Sequence, residues 1–270
     1  MDVSSGMDLF KNTVVCDWHE HVNMEGPAGT LDVKNCEKLA GHLRFLHVDK
    51  VAVSTPSGEY HTPDMITAIN NAVAEAVKRY PGFFYGMCFT DPHHGRHAVA
   101  EIERCVTELG FVGVKLYTQR TIDDPLQYPI IEKCIELDIP ILMHAMRFGL
   151  RYPGPEHFAS HGAHFAAAAR RYPEAVFIVA HIVNGDWHWQ LKSMGDYNNV
   201  FCDISGSTYD QGAVEEVVSV FGAERVLFGA DGSFSASVGK ILGADISLND
   251  KLTILNAPRF AKYMDRGRSS

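Results

Sequence analysis

Short apolar runs alternate with amphipathic stretches from one end of the chain to the other. Several of these runs are nearly continuous in Val, Ile, Leu and Phe, a pattern typical of parallel strands that are covered on both faces. The apolar runs predict eight strands, at residues 13–17, 50–54, 83–89, 111–117, 140–145, 175–182, 200–205 and 225–231. The amphipathic stretches predict helices between them, including residues 64–79, 97–109, 128–137, 158–172 and 211–221.

The number and length of these units predict the fold. Eight strand–helix units in about 250 residues match the size of a closed (β/α)8 TIM barrel, so the predicted class is α/β. A doubly wound open sheet is the competing architecture, but the GxGxxG fingerprint that would support it does not follow the first strand. No linker or composition break divides the 270 residues. We therefore predict one domain over 1–270, with the barrel at 10–264 and a polar tail at 265–270.

Composition restricts the class of partner. A formal net charge of -9 argues against a nucleic-acid backbone or an anionic membrane as the main partner and leaves a small-molecule substrate. The six cysteines form no CxxC pair, which favours buried free thiols in a reducing cytosol. We find no signal peptide, and no apolar stretch approaches the roughly 18–20 residues that cross a bilayer. The predicted location is cytoplasmic. Self-association is common in such barrels, so a homo-oligomer remains open.

His19 and His21 close the first apolar run, in the order Cys-Asp-Trp-His-Glu-His. Residues two apart in a strand project from the same face, so both imidazoles can converge on one point, while Trp18 is predicted to face the opposite way and pack against a helix. In a barrel, the carboxyl ends of all strands meet at the face where active sites lie. Imidazoles with a carboxylate predict a zinc site that leaves a position open for water. Later runs also end in candidate ligands: Lys115, His144, His181 and Asp231.

The residues at these strand ends resemble those of the amidohydrolase superfamily. The resemblance is strongest to the amidohydrolase-2 group, which includes the aminocarboxymuconate-semialdehyde decarboxylase-like proteins. It rests on Gly-Val-Lys-Leu-Tyr at 113–117, Ala-His at 180–181, Gly-Ala-Asp at 229–231 and Asn-Ala-Pro-Arg-Phe at 256–260. The chain departs from the pattern after Asp231, where Gly-Ser replaces a proline-containing turn, and after His181, where a Gly-Gly turn is common. These departures change the rim of the pocket, so the substrate does not follow from the resemblance.

The resemblance implies roles for the residues at the strand ends. In that group His19, His21, His144 and Asp231 would hold one divalent ion, with zinc the first choice. Asp231 and His181 would be the catalytic residues: Asp231 would move the proton, and His181 would polarise the substrate carbonyl. Lys115, Tyr117 and Arg147 would contact substrate. In binuclear relatives the strand-four lysine is carboxylated and bridges two ions, so Lys115 and His181 would then join the ligands.

Two reaction classes are compatible with this centre. Hydrolysis of a small amide, lactone or ester by a zinc-activated water is the first expectation, because it is the commonest reaction of the superfamily. Non-oxidative decarboxylation of a small aromatic or muconate-type acid is the alternative, with Arg147 and Arg151 as candidates for a cationic clamp on the substrate. A catalytically inactive, ligand-binding barrel is the third reading, but none of the expected ligands is missing from the sequence.

Overall fold

Eight parallel strands in sequential order form the centre of the molecule. The computed structural model describes residues 6–26, 29–146, 158–183 and 187–266. The first and last strands are joined by backbone hydrogen bonds, from Trp18 N to Phe228 O (2.9 Å) and from Asp231 N to His19 O (2.7 Å), so the sheet closes on itself. The predicted TIM barrel is confirmed. Its strands are β1 (Cys16–His21), β2 (Lys50–Ser54), β3 (Phe84–Phe89), β4 (Gly113–Leu116), β5 (Ile141–Met143), β6 (Phe177–Val179), β7 (Val200–Asp203) and β8 (Val226–Leu227).

Helices follow the strands and cover the outer face of the barrel. Local signals fix their ends. The Thr62 hydroxyl accepts from Met65 N at the start of α3 (Pro63–Arg79), and both α3 and α6 (Gly162–Arg171) end at the arginine of an Arg-Tyr-Pro sequence, because proline bars continuation. A two-residue antiparallel pair, Met24–Glu25 with Thr30–Leu31, follows β1. The helices are α1 (Gly6–Lys11), α2 (Val33–Phe45), α3 (Pro63–Arg79), α4 (Arg96–Thr107), α5 (Tyr128–Glu136), α6 (Gly162–Arg171), α7 (Trp187–Met194), α8 (Ala213–Phe221), α9 (Phe234–Gly243), α10 (Leu248–Asn256) and α11 (Ala261–Arg266).

Two predicted strand boundaries are wrong for a reason that matters to the site. The sixth strand ends at Val179 because His181 and Ile182 both adopt left-handed backbone, with φ of 67° and 51°. The eighth strand ends at Leu227, and Asp231 again has a positive φ, of 48°. Left-handed backbone is costly for residues other than glycine, and for a β-branched residue such as Ile182 it is a genuine outlier. These two turns lie at the carboxyl ends of the strands, where they aim His181 and Asp231.

A one-residue bulge in β1 corrects the prediction for Trp18. Cys16 and Asp17 pair with Lys50 and Val51, but Glu20 is the next residue to pair, with Val53, so two residues of β1 stand opposite one of β2. Beyond a bulge, the side chains of a strand point to the other face. Trp18 therefore faces the barrel interior, where it packs edge-on against Phe260 (4.9 Å between ring centroids). It packs against a helical segment as predicted, but on the same side as the histidines.

The lower half of the barrel interior is an apolar cluster that we call the floor. It contains side chains of seven of the eight strands and is closed from below by the segment that ends in α11. The floor is formed by Cys16, Trp18, Ala52, Tyr85, Met87, Val112, Leu142, Ile178, Ala180, Phe201, Leu227, Ala257, Phe260, Tyr263 and Met264.

Three further predictions concern the cysteines, the C-terminal tail and membrane-spanning helices. All six cysteines are buried and free, as predicted. The tail predicted at 265–270 is partly wrong, since Asp265 and Arg266 still belong to α11, and residues 267–270 lie outside the described residues. Within the described ranges, no helix combines the length and the apolar character that a membrane span requires.

Candidate metal centre

His19, His21 and Asp231 meet at the upper end of the barrel interior. Asp231 Oδ1 lies 3.0 Å from His21 Nε2 and 3.8 Å from His19 Nε2. One donor atom from each of the three lies within 4.8 Å of the other two, a spacing at which a single ion can bind all of them. His21 and its neighbours hold the pKa of Asp231 well below its usual range, against the effect of burial, so Asp231 is a carboxylate at neutral pH.

Asp203 fixes the orientation and the tautomer of His19. Its Oδ2 accepts from His19 Nδ1 at 2.8 Å, and both side chains are fully buried. A hydrogen on Nδ1 leaves the lone pair of His19 on Nε2, which faces Asp231. A carboxylate behind a histidine is the usual outer support of a metal-binding imidazole. Burial also lowers the pKa of His19 to about 4, which keeps the ring neutral.

A second arm of the same network runs from Asp203 to His144. Ser205 Oγ donates to Asp203 Oδ1 (2.5 Å) and accepts from His181 Nδ1 (2.9 Å). His181 Nε2 then lies 3.1 Å from His144 Nδ1, so it accepts the hydrogen of that nitrogen. The lone pair of His144 is left on Nε2, which is buried and has no hydrogen-bond partner among the described residues. Burial lowers the pKa of His181 to about 3, so this chain of rings is neutral.

Lys115 lies beneath the three converging donors. Its side chain is fully buried, and its Nζ donates to His19 Nε2 at 2.6 Å. Burial lowers its pKa to about 8, while Asp231 and Asp203 act in the opposite direction. Three of the four predicted ligands, His19, His21 and Asp231, converge. His144 belongs to neither of the two groups whose donors all lie within 4.8 Å of one another, which are His19 with His21 and Asp231 and His19 with His181 and Asp203.

A cavity of about 270 Å³ opens directly above these residues. Tyr117 forms part of its wall, and the Tyr117 ring lies 4.3 Å from that of His144. Neither Lys115 nor His19, to which Lys115 donates, is part of the wall that the described residues form. Arg147 and Arg151, predicted as a clamp on the substrate, lie outside the described residues. The cavity is lined by His21, Val22, Asn23, Thr55, Pro56, Tyr117, His144, His181 and Asp231.

The sequence analysis missed Asp203 and Ser205. Asp203 ends the apolar run Val-Phe-Cys-Asp at 200–203, so it carries the same signal that singled out His144 and Asp231. Both residues are fully buried, and Asp203 Oδ1 also accepts from the backbone N–H groups of His181 and Ser205, each at 2.9 Å. A buried carboxylate with this many donors is an organising group of the site rather than a surface charge.

The fold and the side chains at its upper end define a TIM barrel with a candidate metal centre. The chain belongs to the amidohydrolase family of the amidohydrolase-2 type, whose model matches residues 41–239. The resemblance stated from the strand-end residues is thus confirmed.

Two curated relatives extend the comparison. The chain is 26% identical over 231 residues to a 2-keto-4-carboxy-3-hexenedioate hydratase of Sphingobium sp., covering 74% of this chain and 63% of that protein. It is 25% identical over 250 residues to a gamma-resorcylate decarboxylase of Polaromonas sp., covering 76% of this chain and 75% of that protein. The chain thus spans less than two thirds of the length of the hydratase.

A solved structure agrees in fold. The dihydroxybenzoic acid decarboxylase of Polaromonas sp., solved with manganese and the inhibitor 2-nitroresorcinol, superposes with a TM-score of 0.71 at 19% identity, covering 93% of this chain and 97% of that one. The named relatives are thus decarboxylases and a hydratase. None of these three proteins is named as a hydrolase, which was the first expectation from the sequence.

Proposed function

We propose that the protein is a metal-dependent lyase that removes CO₂ from a small aromatic or conjugated unsaturated carboxylic acid. The observation that carries the proposal is the convergence of His19, His21 and Asp231 beside a small cavity that His21 and Asp231 line. A volume of about 270 Å³ lies just below the usual range for ligand pockets, about 300–1,000 Å³, which favours a substrate of one ring or one short chain. The relatives named for acting on such acids support the same reading.

The donor set fits a divalent ion. Within the part of the chain that the structure describes, His144 Nε2 is buried with no hydrogen-bond partner, a state that costs free energy unless a ligand binds the nitrogen. We propose His19, His21, His144 and Asp231 as the ligands. Imidazoles suit zinc and a carboxylate suits manganese as well, so both ions are compatible. One ion remains our choice. A second ion on His181 and a carboxylated Lys115 stays an alternative. In the resting site the amine of Lys115 donates to His19 Nε2, and it would give up that hydrogen bond when the nitrogen binds an ion.

The chain's own residues supply the proton chemistry. When bound, the ion would supply a Lewis acid that holds the substrate's oxygen atoms and withdraws electron density. Asp231, ionised in the resting site, would accept the proton of an acidic hydroxyl on the bound substrate. The bond to the carboxylate then breaks, CO₂ leaves, the electron pair stays on carbon, and Asp231 returns the proton to that carbon. His181 lines the cavity and would stabilise negative charge on a substrate oxygen by donating from Nε2. This role requires its hydrogen to move from Nδ1, which donates to Ser205 in the resting network, and the hydrogen bond from His144 Nδ1 to be released.

Hydration of a conjugated double bond is the second candidate. It rests on the hydratase relative, whose aligned part covers 74% of this chain. The same cavity and the same proton carrier would serve, because addition of water also places a proton on carbon. Hydrolysis of an amide, lactone or ester has no such support among the named relatives. The cytoplasmic location and self-association remain predictions from the sequence.

A substrate screen tests the proposal. Purified protein is freed of metal with a chelator, reloaded with Mn²⁺ or Zn²⁺, and incubated in D₂O with carboxyl-labelled dihydroxybenzoates and muconate-type acids. We expect release of labelled CO₂ and one deuterium at the vacated carbon, both lost in the chelated protein. Addition of water without CO₂ would shift the assignment to the hydratase. Turnover of esters or lactones alone would contradict the lyase proposal.

A further inference from the structure

The segment that follows β7, residues 204–206, connects the two arms of the histidine network. Ser205 Oγ lies 2.9 Å from His181 Nδ1 and 3.2 Å from His19 Nδ1, so one hydroxyl contacts both rings. Gly206 also packs directly on His181: a Cβ added at Gly206 would lie 2.7 Å from His181 Cβ and 2.9 Å from its Nδ1. A displacement of this segment by a few tenths of an ångström would therefore move the ring of His181 and the hydrogen bonds that set the tautomers.

Lys240 holds this segment from outside the barrel. It lies on α9, and its Nζ donates to three successive backbone carbonyls, Ile204 O (2.8 Å), Ser205 O (3.0 Å) and Gly206 O (2.8 Å). An ammonium group has three hydrogens, so these bonds use all of them. Successive carbonyls of an extended chain point in opposite directions. The turn at Gly206, with φ of 69°, is what allows three of them to face one cation.

The charge of Lys240 also acts on the network. The side chain is partly buried, and burial lowers its pKa to about 8, with Asp203 acting in the opposite direction. At neutral pH the amine is thus mostly protonated and stabilises the buried Asp203 carboxylate. Lys240 contacts none of the residues that converge below the cavity and is not part of its wall. Lys240 therefore acts on the converging histidines and Asp231 only through residues 203–206.

We propose that Lys240 is a positioning residue of the centre. It clamps residues 204–206 so that Asp203 and Ser205 keep hydrogens on the Nδ1 atoms of His19 and His181 and lone pairs on the Nε2 atoms of His19 and His144. The inference deepens the proposed function, on which its metal readout rests, but the placement of the rings does not depend on any reaction.

Lys240→Met tests the clamp, because Met keeps the apolar stem and removes the donors. Lys240→Arg retains donors for the carbonyls. Lys251→Met is a matched control: Lys251 lies on α10, and its Nζ also donates to a backbone carbonyl, Leu242 O at 2.9 Å in the last turn of α9, but not to residues 204–206. All four full-length proteins are compared by ¹⁵N NMR of the histidine rings in the metal-free state, by Mn²⁺ affinity from the EPR signal of the free ion, and by thermal unfolding. His19→Gln and His181→Gln spectra assign the two rings.

We expect Lys240→Met to shift the ring nitrogens of His19 and His181 and to weaken Mn²⁺ binding about tenfold, the lower end of the range for outer supports of metal ligands. Lys240→Arg should restore most of the wild-type ring signals and most of the Mn²⁺ affinity. Lys251→Met should change only the unfolding temperature. Ring signals in Lys240→Met that coincide with those of the wild type would overturn the inference. If the wild-type protein binds no Mn²⁺ or Zn²⁺, the proposed function fails, and the ring signals still decide the role of Lys240.

Discussion

The two halves of the barrel interior have opposite chemistry. The floor is apolar, and Trp18 at its centre stacks edge-on against Phe260 and Tyr263 of the closing segment. Above it, the interior is filled by buried and half-buried side chains that are charged or titratable, which we call the mouth: His19, His21, Lys115, His144, His181, Asp203 and Asp231. In TIM barrels the lower face generally serves stability and the upper face serves catalysis. Here β1 contributes to both halves, with Trp18 in the floor and His19 and His21 in the mouth.

The bulge in β1 makes this division possible within a six-residue strand. Without it, strict alternation would place Trp18 on the side opposite His19 and His21. With two residues of β1 opposite Ala52, the chain contributes Trp18 to the floor and both imidazoles to the mouth. Bulges beside active sites commonly re-aim side chains in this way. We therefore expect substitutions in the floor to change stability and substitutions in the mouth to change metal binding and activity, each with little effect on the other property.

Asp231→Asn is expected to have the largest effect and to leave the floor unchanged. Asparagine matches the shape of the side chain and tolerates the positive φ at this position, so the turn is retained. The substitution removes the charge that pairs with His21 and the group proposed to carry the proton. We expect a fall in kcat/KM of about 10²–10⁴-fold, the usual worth of a general acid–base group.

The measurement is steady-state CO₂ release by metal-loaded protein, with urea unfolding to show that stability is little changed. Asp245→Asn, an exposed aspartate, is the control variant for loss of one negative charge. Activity within about threefold of the wild type would mean that Asp231 is not the proton carrier.

Much of the barrel follows from the sequence because it depends on local patterns. The apolar runs identify all eight strands, and the Arg-Tyr-Pro sequences mark the ends of α3 and α6 correctly. His144 and Asp231 are found by the same reasoning, since a polar residue that closes a buried strand of a barrel must lie at the mouth. The same reasoning would also have identified Asp203, because it closes the buried strand β7.

Other features depend on pairing between distant segments and leave no local signal. The bulge is defined by the register of β1 against β2, so the face of Trp18 could not be read from β1 alone. The left-handed backbone at Ile182 contradicts the preference of a β-branched residue, and tertiary contacts, such as the hydrogen bond from Thr208 Oγ1 to His181 O, stabilise it instead. The clamp by Lys240 joins positions more than thirty residues apart.

Trp18→Ala is expected to destabilise the protein while leaving the mouth intact in the folded fraction. Truncating a large aromatic side chain in a packed core costs about 3–5 kcal/mol of unfolding free energy, which urea unfolding measures. Trp18→Phe, which keeps a ring against Phe260, should recover a large part of that loss. Metal affinity per folded molecule should stay close to that of the wild type in both variants. A loss of metal binding in Trp18→Phe, without a matching loss of stability, would show that the two halves are coupled through β1.

Asp203→Asn should produce the smallest of these effects, confined to the mouth. Oδ1 accepts from His181 N, Ser205 N and Ser205 Oγ, so the amide oxygen takes that place and the NH₂ group faces His19 Nδ1. His19 must then accept at Nδ1 and carry its hydrogen on Nε2, which removes the lone pair that faces Asp231. We expect metal affinity to fall about 10–100-fold, measured by competition with a chelator. Asp49→Asn is the matched control, because Asp49 accepts from Val15 N (2.8 Å) at the start of β1 and should change stability only. Equal metal affinity in Asp203→Asn and the wild type would exclude Asp203 as the residue that sets the tautomer of His19.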